Sequence, residues 1–214
     1  MKARGSLLAA LLLGGCATVQ TVPEEETVSA GERSRVVSIE GFDGPLLAAA
    51  IFAETNRIRV AHDLPPLRSH AGLSAAANFQ SMTNSIAGRL SHDNPFYGRA
   101  TVVERVRTAG VRARAFWENV AATPLREASE GAAIVYRTND DGTRTYLDGN
   151  TGEPLVWPTY GELARRIMRQ WMDSPSHRSN ILQSQATFLA CGVFMRRPGD
   201  GLAAVYSTQV FIAK

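Results

Sequence analysis

The chain has 214 residues, 44% of them hydrophobic, with 23 Lys and Arg against 20 Asp and Glu and only two cysteines. That length suits one globular domain with a sizeable core and falls short of an obvious two-domain size. Two of the basic residues, Lys2 and Arg4, sit in an N-terminal export signal, so the remainder balances 21 against 20 and net charge gives nucleic-acid binding no support.

The export signal occupies residues 1–15. Lys2 and Arg4 open it, Leu7 to Leu13 form an apolar run too short to span a bilayer, and Gly14-Gly15 precede Cys16. A small-residue pair directly before cysteine is the pattern of a bacterial lipoprotein processing site, which would leave Cys16 as an acylated first residue; ordinary secretion with cleavage nearby is the alternative. Residues 16–40 are polar, with a Glu24-Glu25-Glu26 run, and read as a lipidated flexible tether, because such composition cannot offset its ordering entropy by burial. The expected location is the cell envelope, and the outer membrane if the source is Gram-negative. The second cysteine, Cys191, has no partner for an internal bridge and lies in an apolar strand-like run, where a thiol packs as a small hydrophobe.

The domain proper is expected over residues 41–214. Leu47, Ala50, Ile51, Glu54 and Ile58 recur at helical spacing until Pro65-Pro66 forbid continuation. A second helix covers Ala71 to Ile86, and Gly88 suits its C-terminal cap. A polar loop, Ser91 to Phe96, carries His92. Thr101 with Glu104 forms a capping box for a short helix that Gly110 ends. Trp117 to Ala121 reads as a strand interrupted by Glu118 and Asn119. Residues 124–158 read as a surface insertion built on a hairpin around Asp140-Asp141-Gly142. Thr159 with Glu162 caps a further helix carrying Leu163, Ile167, Met168 and Trp171 on one face. That helix breaks at Ser174-Pro175 into a polar turn bearing His177 and Arg178. Two strands, Cys191 to Met195 and Ala203 to Ile212, then form an antiparallel hairpin across Arg197 to Gly201. The whole is α+β in class.

No zinc-protease helix motif, paired C-x-x-C, P-loop, dinucleotide fingerprint or nucleophile elbow occurs. What stands out is Glu118, a carboxylate in an apolar strand that costs free energy unless paired, and two histidines, His92 and His177, in polar turns. Spacing leaves open whether Glu118 is paired for structure or takes part in chemistry. His62 and His70 flank the Pro65-Pro66 turn and read as surface polar groups.

Several short segments, taken together and in order, carry a resemblance. They are Asn56-Arg57-Ile58-Arg59, Leu64-Pro65-Pro66-Leu67, Leu73 to Ala77, Leu90-Ser91-His92, Glu118-Asn119-Val120, Trp171 through Leu182, and Tyr206 to Phe211. From about Leu46 to Phe211 the chain resembles the CAP superfamily, the cysteine-rich secretory, antigen-five and pathogenesis-related proteins, in its bacterial branch. The resemblance implies a three-layer α-β-α sandwich with a small, mainly antiparallel sheet. It also implies a cleft that many eukaryotic members line with two histidines and two glutamates. His92 and Glu118 match the first of each. The second glutamate falls near Ser174 and the second histidine on Tyr206, so both are missing, and His177 stands in from the segment after Pro175. Trp117 replaces the usual glycine before Glu-Asn, and the 124–158 insertion is longer than typical.

Relatives with all four residues can hold zinc. Here at most His92, Glu118 and His177 converge, so a hydrogen-bonded cluster without bound zinc or another cofactor is expected. The cleft is assigned to His92, Glu118, His177 and Tyr206. The expected function is a non-enzymatic envelope module, held at the membrane through the Cys16 lipid, whose cleft or inserted hairpin contacts an envelope protein, glycan or lipid. The alternatives are a hydrolase of peptides or cell-wall fragments, in which Glu118 orients His92 as base for water, Ser174 or Ser207, and a lipid-binding protein. For the last, Arg105, Arg107, Arg112 and Arg114 could meet headgroups, although an arginine-studded helix face is ordinarily just solvated.

Overall fold

The structure, a computed structural model, describes residues 28–197 and 202–214. The export signal, Cys16 and the turn at Pro198 to Gly201 lie outside the described residues. In chain order the elements are α1 (Ala30–Ser34), α2 (Gly44–Ala61), β1 (Arg68–Ser69), α3 (Ala71–Ala87), α4 (Val102–Thr108), β2 (Ala115–Pro124), β3 (Ile134–Thr138), β4 (Arg144–Asp148), α5 (Tyr160–Asp173), α6 (Pro175–Ile181), β5 (Phe188–Arg196) and β6 (Ala204–Ala213).

Four strands form the central sheet in the order β1-β5-β6-β2, antiparallel except for the short β1, which lies parallel to β5. Alternate residues of β6 feed opposite faces. Val205 and Phe211 pack with Leu47 and Ile51 of α2 and Leu163, Ile167 and Trp171 of α5. Val210 and Ile212 pack with Leu73 and Ala77 of α3 and Val106 of α4. Two apolar clusters therefore sandwich one sheet, which is the expected α-β-α architecture. The approach of α3 to β5 is set by Gly192: a Cβ there would lie 2.2 Å from the Ala77 carbonyl carbon. No helix of the described residues is long and apolar enough to cross a membrane.

Local signals account for the element ends. The Thr101–Glu104 and Thr159–Glu162 capping boxes both form, satisfying first-turn N–H groups that would otherwise lack partners. Gly88 caps α3 in the left-handed conformation, at φ 66°. The inserted hairpin pairs β3 with β4 in register from Ile134↔Asp148 to Thr138↔Arg144, as a separate two-stranded sheet. Its roots are buried through Leu125 and Leu155.

Three sequence expectations change. Residues 28–40 belong to the domain rather than to a tether: Val28 and Val37 are buried, α1 carries its own capping box, and Val36 bridges Thr159 ahead of α5. Two well-placed apolar side chains and a backbone bridge are enough to seat a segment that is polar on average. The polar stretch after Ser174 is a short helix, α6, with Pro175 at its first turn, where the missing N–H costs nothing. Finally, β1 was not foreseen, because two residues carry no periodic signal.

Candidate functional site

Glu118 lies on β2 opposite Val210 of β6, so its side chain shares the face that packs against α3 and α4. It is nearly fully buried, with 3% of its side chain exposed. Both carboxylate oxygens are engaged: Oε1 lies 3.0 Å from His92 Nδ1, and Oε2 accepts from Arg105 at 2.5 Å. The pairing expected for a carboxylate in an apolar strand is therefore met by one imidazole and one guanidinium. Arg105 corrects the sequence reading, which placed it on a solvated helix face. It is buried beneath α4 and also donates to the carbonyls of His92, Arg99 and Ala100. The signal was its position three residues after Val102 and directly before buried Val106, which puts it on the inward side of the turn.

His92 projects from the loop between α3 and α4. The loop is fastened by buried amides: Gln80 and Asn84 of α3 both donate to the Ser91 carbonyl, and Asn94 donates to Gln80 and to the Arg99 carbonyl. With Nδ1 committed to Glu118, the rest of the ring is left outward, and 56% of the side chain is exposed. The hydrogen bond to Glu118 holds its pKa above the ordinary histidine value, against an opposing effect of partial burial.

His177 occupies the first half of α6, and α6 is tied to the strand bearing Glu118. Asn180 donates to the Glu118 carbonyl at 3.1 Å and to Asn119 Oδ1 at 2.9 Å, while Asn119 donates to the His177 carbonyl and to Gln209. Gln209 continues the chain to Thr55 of α2 at 2.7 Å. These side chains bring His177 close enough to His92 to feel it electrostatically. Burial first, and His92 second, push the His177 pKa below the usual range. The two imidazoles are thus tuned in opposite directions, His92 towards the cation and His177 towards the neutral ring.

The other candidates make no hydrogen bond to this cluster. Tyr206 is buried on β6, level with Ala122 of β2, and no hydrogen bond joins it to His92, Glu118 or His177. Ser207 is 1% exposed, its hydroxyl has no hydrogen-bond partner among the described residues, and strand alternation turns it to the α2/α5 face, away from Glu118. Ser174 Oγ rests against Ser176 Oγ. Cys191 is buried and its thiol pKa is pushed up by desolvation, which removes thiolate reactivity. Asn119, Asn180, Gln209 and Arg105, which position the cluster, were not assigned to the site from sequence.

The donor set does not fit zinc. Glu118 has spent one oxygen on a guanidinium and the other on His92, which leaves two imidazoles as free donors beside a buried cation. Zinc sites use three or four protein ligands, and no group of three His, Cys, Asp or Glu among the described residues is placed to hold a metal ion.

Residues 52–211 match the family model of CAP, the cysteine-rich secretory protein family. An extracellular protein containing an SCP domain from Bacillus anthracis superposes with a TM-score of 0.52 at 24% identity, covering 78% of this chain and 40% of that one. The chain thus spans two fifths of that protein's length. An outer surface protein from Borrelia burgdorferi superposes with a TM-score of 0.51 at 13% identity, covering 81% of this chain and 96% of that one. A comparison with curated proteins gives no match.

Proposed function

The chain belongs to the cysteine-rich secretory protein family, and from that premise we propose that it is an exported binding module rather than a hydrolase. The observation that carries this reading is the state of Glu118. A buried carboxylate held by Arg105 on one oxygen and His92 on the other is a fixed structural anion, with neither oxygen available to take a proton from substrate. Of the serines considered, Ser207 is sealed on the wrong face and Ser174 lies against another hydroxyl. What the cluster offers outward is an imidazolium-leaning His92 beside a neutral-leaning His177, a donor and an acceptor suited to a polar ligand from the envelope. The extracellular and outer-surface descriptions of the two similar structures support export, and acylation at Cys16 supplies membrane attachment in this reading.

One observation favours a second reading. The carboxylate–imidazole pair at 3.0 Å is the geometry that orients a histidine, which makes His92 a candidate general base towards water. A screen against peptides and cell-wall fragments separates the two. The binding reading expects wild type and His92→Ala to give identical product traces; turnover that disappears in His92→Ala overturns it. For the anchor, Cys16→Ala is expected to release the protein from the membrane fraction, and unchanged retention would refute lipid attachment.

A further inference from the structure

At the end of the sheet farthest along β2 from its Pro124 terminus, basic side chains gather where the α4–β2 connection meets the last residue of the chain. An open groove of about 770 Å³ is lined by His70, Gly110, Val111, Arg112, Ala113, Arg114 and Lys214. Arg68 joins them through Phe188: its guanidinium carbon lies 4.4 Å from the ring centroid, Lys214 Nζ lies 4.8 Å from it, and the His70 ring meets it edge-on at 5.5 Å. Arg114 donates to a main-chain oxygen of Lys214. Among the described residues, none of Arg68, Arg112, Arg114 or Lys214 has a carboxylate side chain as an ion-pair partner. Three cations, Arg112, Arg114 and Lys214, and a histidine thus line one groove, with Arg68 stacked on Phe188 nearby, in a protein whose overall charge is nearly balanced.

The hydrogen bonding of His70 gives the groove its specificity for an acceptor. Its Nδ1 accepts the Gly72 backbone N–H at 3.2 Å, which assigns the proton of a neutral ring to Nε2. Nε2 in turn faces Lys214 Nζ at 3.0 Å. Two N–H donors therefore meet with no acceptor between them. Consistent with that, burial and then the Lys214 ammonium push the His70 pKa below the ordinary value. An anionic oxygen seated at this point would accept from both donors and lie within the field of the arginines. Arginine side chains match the geometry of phosphate oxygens.

We propose that the His70–Arg112–Arg114–Lys214 groove is an anion site that takes a phosphate group, either from a lipid headgroup or as a free phosphate ester. It is independent of the His92 cluster. The test uses the full chain and inorganic phosphate at constant ionic strength against chloride, following the His70 ring protons by NMR. Phosphate is expected to raise the His70 titration midpoint in wild type and to leave it unmoved in Arg112→Ala/Arg114→Ala, whose exposed arginines the fold does not need. No shift in wild type, or the same shift in the variant, overturns the proposal. Vesicles identify the source. A preference for phosphatidylglycerol over phosphatidylcholine, falling about fivefold per arginine removed, accompanies the shift if the phosphate is a headgroup. The shift without that preference assigns the groove to a soluble phosphate ester.

Discussion

Two arginines are entirely withdrawn from solvent, Arg59 on α2 and Arg105 on α4, and they solve the same problem differently. Among the described residues no carboxylate forms an ion pair with Arg59. It donates to the carbonyls of Pro65, Ile181 and Gln183, pinning the turn after α2 and the end of α6, and burial pushes its pKa down. Arg105 also donates to carbonyls of the His92 loop, but its Nη2 arm is shared between the His92 carbonyl and Glu118. The first arginine is a clamp for backbone. The second clamps backbone and a buried anion together, so the loop that presents His92 and the strand that presents Glu118 cannot move separately. Where a buried charge needs a counter-charge, removing one partner costs more than losing the same number of hydrogen bonds to carbonyls.

The most direct way to break this contrast is Arg105→Met, which leaves Glu118 buried without its cation. The expected loss is about 3–5 kcal/mol in denaturant unfolding, with much of it recovered when Glu118→Leu is added. A variant as stable as wild type would show that the ion pair holds nothing. Arg59→Met is expected to cost less, about 2–3 kcal/mol, and no carboxylate substitution should rescue it; a loss equal to that of Arg105→Met would erase the distinction. Asn180→Ala removes the donor that ties α6 to Glu118 and Asn119. Its expected cost is about 1–2 kcal/mol, together with a rise of the His177 midpoint towards the ordinary value as the ring becomes wetter. The smallest effect belongs to His92→Asn. Because Glu118 raises the His92 pKa above its ordinary 6.5, the pair's contribution is complete below about pH 6.5 and is lost as pH rises through the elevated folded value. Wild type minus variant stability should therefore decline across that interval and be flat below it; the opposite slope would mean that His92 is held neutral.

Much of the scaffold could be read directly from residues. Capping boxes at Thr101 and Thr159, the stop before Pro65 and the glycine at 88 each carry a local physical cause, and each stands where that cause puts it. The same holds for Glu118, whose isolation among apolar neighbours announced a partner. The identity of that partner was hidden, because Arg105 is one of several arginines in a short helix and only its phase against Val102 and Val106 distinguishes it from Arg107. Proline as a terminator puts His177 in a turn, whereas Pro175 begins the next helix. The Asn180–Asn119–Gln209–Thr55 chain joins residues far apart in sequence, and no local pattern encodes such a link.

The seating of Val28 and Val37 has a mechanical consequence. If the chain is held at Cys16, only the eleven residues between Cys16 and Val28 separate the attachment point from the folded body. Their contour cannot exceed roughly 40 Å, about half of what a leash through residue 40 would allow. Such an attachment would enter the body through Val28 and α1, on the flank where Val36 bridges Thr159 ahead of α5. The α5 flank would then lie nearest the attachment point, and tension entering at Val28 would load α1 and the Val36–Thr159 bridge before it reached the sheet.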